Sequence, residues 1–553
     1  MKTLFKDNLS IIFLSLIFLI LGFFTYQDYG VGIEEHFQRK SGFYWLNYLI
    51  NIFGDGSIQE TATNKYNEIL IFTPNLFDIQ TYNIYGILFD LPLAFLETLI
   101  DIKEPQEYFY LRHITNFLIF LLSGLFLYAL LKRRFNKYHI PIIGFVLYIL
   151  TPRMYGNSFF DGKDLFFLSI FTINFYFYFK FIDKKNYRNL IILAIFCALT
   201  TSTRIIGLLF PLCFLFLLFL SSLSNNKNNI MLKYSVVFIS SYLIFLYLHW
   251  PYLWTLNLNE ILNFFKPFFY SMNPTVFFNG EFYKSKYLPI YYVPLWILIT
   301  TPVYYLLMFF IGFYLQFSKM FKRLLTIREI YKKKRDDLWN SNNEQLDVFI
   351  FFNLFAIMIL FLSVNLVLIS GWRHFYFLNF FIIYFSCYFL YNLFEILKRK
   401  KKALISIYII LIVFTGEVVY KLIIYHPYQS SYFNNITSEI YKKKFQIDTQ
   451  SLSRTDAIKE ILRDSKNKEK IIIGTASWTP LEDARSMIKK ELWNRLIFTG
   501  TSNKEKADYI YSNHYYEVNN LFNKKYEIPE NFYLYKKLVI NGTHIYSLYK
   551  RKI

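Results

Sequence analysis

Long apolar runs without charged side chains constrain the fold of this chain more than any other feature. An α-helix needs about 20 such residues to cross a bilayer, and the first run, residues 9–26, approaches that length. Lipid offers the backbone no hydrogen-bond partner, so runs of this kind must form helices. Further runs begin near Leu111, Ile140, Leu165, Leu190, Ile205, Tyr234, Leu288, Val348, Phe375 and Ala403. The pattern predicts a polytopic α-helical membrane protein with about eleven transmembrane helices.

The composition excludes two other classes of protein. Of the 553 residues, 55% are hydrophobic and 22% aromatic, which is typical neither of an ordinary soluble enzyme nor of a disordered chain. The net charge of +21 would suggest nucleic-acid binding in a soluble protein, but most Lys and Arg residues lie in short links between apolar runs. We therefore expect membrane lipid, and no nucleic acid, as a partner. The three cysteines lie inside apolar runs without the spacing of a metal site.

The basic links predict the topology. With the apolar runs as spans, they all fall on one side of the membrane, which the positive-inside rule makes the cytoplasm. The N-terminus is then cytoplasmic. The links are residues 132–134, 183–188, 227–233, 319–335 and 398–402. Two consequences follow from parity: two short helices must flank Arg204 near the outer surface, and residues 83–100 form an interfacial helix rather than a span.

Two domains are predicted. Residues 1–428 form the transmembrane domain, with a large first outer loop at residues 27–110, and residues 429–553 form a soluble extracytoplasmic α/β domain. In the second domain we expect strands at residues 471–474 and 507–512, a helix at 480–493, and a hairpin within 538–549 that turns at Asn541-Gly542. Residues 319–345 are predicted to be an inner loop with a helix lying at the lipid surface.

Adjacent carboxylates follow the first span. Glu34 and Glu35 project in different directions from any regular backbone, so one can face a substrate while Arg39 or Lys40 holds the other. A partly desolvated carboxylate at the membrane surface is a competent general base for a hydroxyl. A solvated loop of mixed charge is the competing interpretation.

The second outer link also carries charged side chains close to the bilayer. Arg153, Asp161, Lys163 and Asp164 lie between two spans that begin near Ile140 and Leu165, which forces them towards the first loop. The plainer interpretation is that Asp161 or Asp164 caps the following helix. Capping and a catalytic role are compatible.

Two arginines complete the set of outer candidates. Arg204 lies between two apolar runs, and an arginine near the membrane is costly unless it is paired. Arg373 and His374 form a second outer corner after Trp372, and a guanidinium suits a pair of phosphate oxygens. An interfacial anchor beside Trp372 is an equal interpretation of Arg373. The chain contains no Gly-rich phosphate loop and no nucleophile elbow, which argues against an ATP-driven or conventional hydrolytic enzyme.

The order of these segments resembles the GT-C superfamily of polytopic glycosyltransferases. The resemblance is strongest to the bacterial branch that uses polyprenyl-phosphate sugars and is related to protein mannosyltransferases and the aminoarabinose transferase. It covers about the first 435 residues, through short patterns at residues 32–35, 85–90, 112–113, 152–164, 202–204, 372–374 and 426–434.

The resemblance implies an integral-membrane inverting glycosyltransferase on the outer face of the cytoplasmic membrane. In that family the first-loop acid deprotonates an acceptor hydroxyl of a lipid, polysaccharide or protein. The hydroxyl oxygen attacks the anomeric carbon of the sugar as polyprenyl phosphate leaves. Glu34 stands where the family has Asp, and because a longer base alters the reach, Glu35 and Asp164 stay open as alternatives.

The resemblance also implies roles for the remaining candidates. Asp164 would orient the acceptor or the base, and Arg204 and Arg373 would hold the leaving phosphate. The other substrate-binding candidates are Arg153, Asp161, Lys163 and His374. No cofactor is implied, and a divalent metal is compatible but not required. Two alternatives stay open: a flippase or transporter of lipid-linked sugars, and a polymerase or ligase that uses pyrophosphate-linked oligosaccharides.

Overall fold

Apolar helices dominate the chain up to residue 424 in a computed structural model. It describes residues 2–54, 56–72, 85–224, 228–257, 259–260, 273–331, 341–364, 366–514 and 524–552. Numbered in chain order, its α-helices are α1 (Lys2–Thr25), α2 (Glu35–Phe53), α3 (Gly56–Phe72), α4 (Asp90–Ile100), α5 (Pro105–Arg134), α6 (Ile140–Ile149), α7 (Pro152–Phe160), α8 (Asp164–Asp183), α9 (Tyr187–Thr203), α10 (Leu209–Ser224), α11 (Asn228–His249), α12 (Tyr292–Thr300), α13 (Val303–Tyr331), α14 (Asn342–Ser363), α15 (Leu378–Leu397), α16 (Lys401–Ile424), α17 (Glu439–Lys442) and α18 (Ser453–Asp464). A small hairpin, β1 (Thr275–Phe278) and β2 (Glu281–Lys284), lies between α11 and α12.

Eight helical segments within the described residues are long and apolar enough to cross a membrane. They are α5, α8, residues 205–222 with α10, α11, α13, α14, α15 and α16. Three shorter apolar helices coincide with the other predicted runs: the apolar part of α1, α6 and α9. The prediction of a multi-pass helical protein is therefore confirmed, while the number of eleven crossings stays a prediction.

The predicted break around Arg204 is present. Helix α9 ends at Thr203, a 3₁₀ turn covers Ile205–Leu208, and α10 begins at Leu209. Arg204 thus sits at a helix end, where a long polar side chain can leave the apolar bundle. The charged group does not interrupt a span.

The bundle has two chemically different ends. Helix α8 has 20 residues, so Asp164 and Asp183 are separated by about 30 Å along its axis. Arg133 forms an ion pair of 3.4 Å with Asp183, and the Tyr234 hydroxyl donates to the Lys185 carbonyl at 3.0 Å. We call this the basal end, and the end that holds Asp164 and Arg204 the upper end. Which end faces the cytoplasm stays a prediction.

The prediction of a surface helix after residue 319 is wrong for the part that the structure describes. Helix α13 runs without interruption from Val303 to Tyr331. Its 29 residues span about 43 Å, longer than the hydrocarbon core of roughly 30 Å, so its basic end extends beyond the apolar region. Residues 332–340 lie outside the described part. Of the predicted interfacial helix, α4 is observed, and residues 83–84 are likewise outside the described part.

A five-stranded sheet follows the last apolar helix. Its strands are β3 (Ile471–Thr475), β4 (Leu496–Gly500), β5 (Tyr509–Ser512), β6 (Phe532–Ile540) and β7 (Thr543–Arg551), in the order β4-β3-β5-β7-β6. Strand β3 is parallel to β4 and β5, whereas β7 is antiparallel to β5 and β6. The predicted strands and hairpin are confirmed, and the hairpin turns at Asn541 and Gly542, both with positive φ.

The predicted helix at residues 480–493 is wrong. Two 3₁₀ turns, Leu481–Met487 and Lys490–Arg495, occupy this stretch. Leu481, Ala484 and Met487 are all buried, and their spacing of three matches the three residues per turn of a 3₁₀ helix. An α-helix would rotate these side chains progressively away from the core.

A buried ion pair joins three helices at the basal end. Arg134 of α5 donates to both carboxylate oxygens of Asp347 in α14, at 2.7 and 2.6 Å. The Tyr384 hydroxyl of α15 donates to the same carboxylate at 2.6 Å. Because the Asp347 side chain is only 1% exposed, these partners must stabilise its negative charge in place of water.

We expect the Asp347→Asn substitution to destabilise the bundle, because it leaves the Arg134 guanidinium buried without a counter-charge. Breaking a buried pair in this way lowers the free energy of unfolding by about 3 kcal/mol or more. Thermal unfolding in detergent measures the effect. Asp183→Asn is the matched control, since its pair with Arg133 is exposed and such pairs contribute about 0–1 kcal/mol. Equal melting temperatures for both variants would contradict the prediction.

Candidate active site

Four charged side chains from distant parts of the chain meet at the upper end. Glu34 directly precedes α2, and Asp164 is the first residue of α8. Arg204 follows α9, and Arg373 begins a 3₁₀ turn between α14 and α15. Glu34 and Arg373 are 339 residues apart in sequence, so tertiary structure alone brings them together.

The four side chains form an alternating series of ion pairs. The Arg373 Nη2 donates to Glu34 Oε1, and the Arg373 Nε lies 3.8 Å from Asp164 Oδ2. The other Asp164 oxygen pairs with Arg204 Nη2. The Asp164 and Arg373 side chains are 1% and 4% exposed, whereas those of Arg204 and Glu34 are 15% and 34% exposed. A ligand would therefore reach Glu34 and Arg204 first.

Local backbone geometry directs Arg373 into the cluster. Ser370 and Gly371 have φ values of 58° and 72°, and this left-handed pair turns the chain sharply after α14. The indole of Trp372 is buried and donates to Thr300 Oγ1 at 2.9 Å. The corner is thus folded inward, and Arg373 is paired with carboxylates rather than anchored at the interface beside Trp372.

The Glu34 carboxyl is ionised at neutral pH. Burial acts to raise its pKa, but Arg373 and then Lys163 and Arg204 outweigh that effect and lower the pKa to about 2. A carboxylate held this way is a weak base. It becomes a stronger base when another anion takes over the Arg373 guanidinium.

Asp161 has a different protonation state. Its Oδ1 accepts hydrogen bonds from the backbone N–H groups of Asp164 at 2.8 Å and Lys163 at 3.3 Å, so it caps the start of α8. Burial and the neighbouring Asp164 charge raise its pKa well above the usual range. With Asp161 protonated, the cations Lys163, Arg204 and Arg373 outnumber the two carboxylates Glu34 and Asp164. Such an excess of positive charge favours an anionic ligand.

His374 and Lys163 lie at the rim of the same cluster. Burial, followed by the charges of Arg204, Arg373 and Lys163, lowers the pKa of His374 well below its usual value. His374 is therefore a neutral imidazole in a cationic environment. The Lys163 ammonium lies 3.0 Å from the centroid of the Tyr85 ring, a cation–π contact that holds it over the first outer loop.

Glu35 is not brought into the cluster. Its Oε2 accepts from the Gly32 N–H at 2.7 Å and lies 3.2 Å from His113 Nε2. The expectation that one acid of the pair faces outward and the other is held inside agrees with this geometry, but Arg39, one of the two predicted partners, does not hold Glu35. Arg39 instead pairs with Glu97, through hydrogen bonds of 3.0 and 3.2 Å from its Nε.

Arg153 also lies outside the cluster. Its Nε donates to the Tyr432 carbonyl at 3.2 Å, and its guanidinium carbon lies 5.0 Å from the Trp296 ring. Among the described residues, no carboxylate lies within ion-pair distance of it. Aromatic and carbonyl contacts stabilise this cation instead.

The sequence contained a weak signal for two residues whose roles were not predicted. Tyr85 and His113 both lie in the short patterns at residues 85–90 and 112–113. The structure places Tyr85 under Lys163 and His113 against Glu35. In the described part of the chain, no three His, Cys, Asp or Glu side chains are grouped to hold a metal ion.

Comparisons of the sequence with protein-family models and with curated proteins found no match. Among solved structures, the chain is similar to the apo form of the Archaeoglobus fulgidus oligosaccharyltransferase, with 12% sequence identity and a TM-score of 0.46. The similarity covers 91% of this chain and 69% of the archaeal chain. A similarity of this extent does not define an activity.

We expect the Arg373→Met substitution to make Glu34 reactive towards dicyclohexylcarbodiimide, which modifies protonated carboxyl groups in apolar surroundings. Without the guanidinium, burial raises the pKa of Glu34 and only Lys163 and Arg204 still lower it, so we expect a larger fraction to be protonated at about pH 5 than in the wild type. Peptide mass spectrometry of the modified protein measures the labelling. Arg153→Met is the control and should leave Glu34 unlabelled, as in the wild type. Equal labelling in both variants would show that Arg373 does not control this carboxyl.

Proposed function

We propose that the protein is an integral-membrane inverting glycosyltransferase that moves a sugar from a polyprenyl-phosphate donor to an acceptor hydroxyl. The observation that carries the proposal is the alternating series of Glu34, Arg373, Asp164 and Arg204 at one end of an apolar helix bundle. A lipid-linked donor suits this position, because its chain can stay in the bilayer while its phosphate reaches the end of the bundle.

Both arginines can bind the donor phosphate. In the described structure, the Nε atoms of Arg204 and Arg373 are buried and have no hydrogen-bond partner. A phosphate has several acceptor oxygens and is matched by guanidinium donors, which also stabilise the charge that develops as the phosphate leaves. The excess of cations over ionised carboxylates supports the same assignment.

Glu34 is the proposed general base. It is the most exposed carboxylate of the series, so an acceptor hydroxyl can reach it. Donor phosphate on Arg373 would compete with Glu34 for the guanidinium, which raises the pKa of the carboxyl towards a useful range. The base would then be activated only when the donor is present.

The reaction balances with these groups alone. Glu34 takes the acceptor proton, and the hydroxyl oxygen forms a bond to the anomeric carbon. The bond from that carbon to the phosphate oxygen breaks, and its electron pair leaves with polyprenyl phosphate. Attack opposite the leaving group inverts the anomeric centre. Asp164 keeps Arg204 and Arg373 oriented throughout.

We assign the reaction to the outer face of the cytoplasmic membrane. With Lys and Arg links at the basal end, the positive-inside rule places that end in the cytoplasm and the upper end outside. Residues 429–553, which contain the five-stranded sheet and which we call the sheet domain, then face the extracytoplasmic space. The acceptor is a hydroxyl of a glycan, lipid or protein.

We expect purified wild-type protein in proteoliposomes to release free polyprenyl phosphate from polyprenyl-phosphate sugars when acceptor extract is added. Glu34→Gln should lower the rate about a hundredfold or more, because it removes the base but keeps the side-chain shape. Asp28→Asn is the control, since that exposed carboxylate pairs with His426 and not with the site arginines.

The assay also separates the alternatives. A Glu34→Gln variant with near wild-type turnover would exclude Glu34 as the base. If the wild type released no polyprenyl phosphate but consumed pyrophosphate-linked oligosaccharides, a polymerase or ligase would be favoured. Movement of intact donor across the bilayer without bond cleavage would favour a flippase.

We further expect arginine, and not a metal ion, to supply the positive charge in this reaction. Excess EDTA should leave the turnover unchanged. Arg204→Met should weaken donor affinity about tenfold or more, as expected for loss of a charge-assisted hydrogen bond. Arg153→Met is the matched control. Loss of activity in EDTA that Mg²⁺ or Mn²⁺ restores would contradict this part of the proposal.

A further inference from the structure

The segment that carries Glu34 is in contact with the sheet domain. Tyr29 and Val31 are fully buried, and the Tyr29 hydroxyl donates to Gln429 Oε1 at 3.0 Å. The Ile33 N–H donates to the Gln450 carbonyl at 3.1 Å, a contact between residues more than 400 positions apart. We call residues 29–36 the base segment.

Arg454 forms another of these links. It lies in the first turn of α18 and is fully buried, yet most of its hydrogen bonds go to backbone carbonyls. Its Nη2 donates to the Val31 carbonyl at 3.2 Å, its Nε to Ser451 at 3.0 Å, and its Nη1 to Pro480 at 2.7 Å. One rigid guanidinium therefore joins the base segment to two loops of the sheet domain.

The loop that presents these groups is itself fixed. Asp448 accepts from the Leu452 N–H at 3.0 Å and from the Ser453 hydroxyl at 2.5 Å, at the start of α18. On the other side, the Leu452 carbonyl would lie only 2.4 Å from a Cβ added at Gly30. The base segment thus packs against the sheet domain with no space for a side chain at that position.

The contacts of Glu34 divide between two parts of the protein. Its backbone neighbours Val31, Ile33 and His36 are held by the sheet domain, and His36 Nε2 lies 2.9 Å from the Asp483 carbonyl. Its carboxylate instead points to Arg373 of the helix bundle.

We propose that Arg454 is a positioning residue, through which the sheet domain holds Glu34 at the distance from the acceptor hydroxyl that proton transfer requires. This inference rests on the proposed function of Glu34 as the base. A displacement of about 1 Å at a reacting group can lower a rate roughly a hundredfold, so a small shift of the base segment should be visible in turnover.

Gly30→Ala tests this positioning without altering any charged group. Its Cβ would overlap the Leu452 carbonyl, so the base segment must move away from the sheet domain. We expect kcat to fall about ten- to a hundredfold without a loss of donor affinity, because Arg204 and Arg373 are intact. Gly416→Ala is the matched control, since a Cβ there meets nothing within 4 Å.

Carbodiimide labelling of Glu34 gives a readout that does not require turnover. If the base segment moves, Glu34 separates from Arg373 and becomes labelled at about pH 5, as in Arg373→Met. Arg454→Lys should give the same labelling, because lysine keeps the charge but its single ammonium cannot replace the three separate nitrogen atoms of the guanidinium. Both variants should still be recovered from the membrane. If Arg454→Lys is not recovered, Gly30→Ala alone provides the test.

The outcomes separate the two proposals. Unlabelled Glu34 together with wild-type kcat in Gly30→Ala would overturn the positioning role of the sheet domain. A parallel loss of donor affinity and kcat would do the same, because it would indicate general disruption. A wild-type protein without transferase activity would overturn the proposed function, while the labelling result would still test the contact between Arg454 and the base segment.

Discussion

Pairing of charges at the end of an apolar bundle is the constraint on which the upper part of this structure depends. Arg373 and Asp164 are almost completely buried, and each would be strongly destabilising there without the other. Arg373 can meet both Glu34 and Asp164 only if the first outer loop, α8 and the corner before α15 converge. Arg204 extends the series to the end of α9. The geometry of the site therefore depends on the packing of these four chain segments, and their packing depends on the ion pairs of the site.

The same pairing explains how a stable site can also be reactive. In the free protein, Arg373 neutralises Glu34 and lowers its pKa, which stabilises the cluster but makes the carboxylate a weak base. An anionic ligand that binds the guanidinium would reverse both effects. In the proposed reaction, Arg373 exchanges its ion pair with Glu34 for one with the donor phosphate. This single exchange both binds the donor and activates the base.

Several predictions from the sequence agree with the structure because they rest on local physics. The length of the apolar runs predicted helices that cross lipid. Because all basic links must lie on one side of the membrane, an even number of helices was required around Arg204, which predicted the helix break there. Asn541 and Gly542 predicted a hairpin because few other residues adopt positive φ readily. The prediction of an α-helix at residues 480–493 was wrong because the buried positions there recur every three residues. That is the period of a 3₁₀ helix, and a short stretch scarcely distinguishes it from the α-helical period.

Residue type and spacing were enough to predict a membrane bundle, a sheet domain and the set of charged residues at the upper end. They did not distinguish Glu34 from Glu35, although the two are adjacent, because Glu35 is held by His113 and Glu34 by Arg373. Nor did they indicate that Arg153 would lie apart or that Arg454 would reach Val31. These outcomes depend on distances between residues hundreds of positions apart. The energy of a buried charge is set by such neighbours, and local sequence does not encode them.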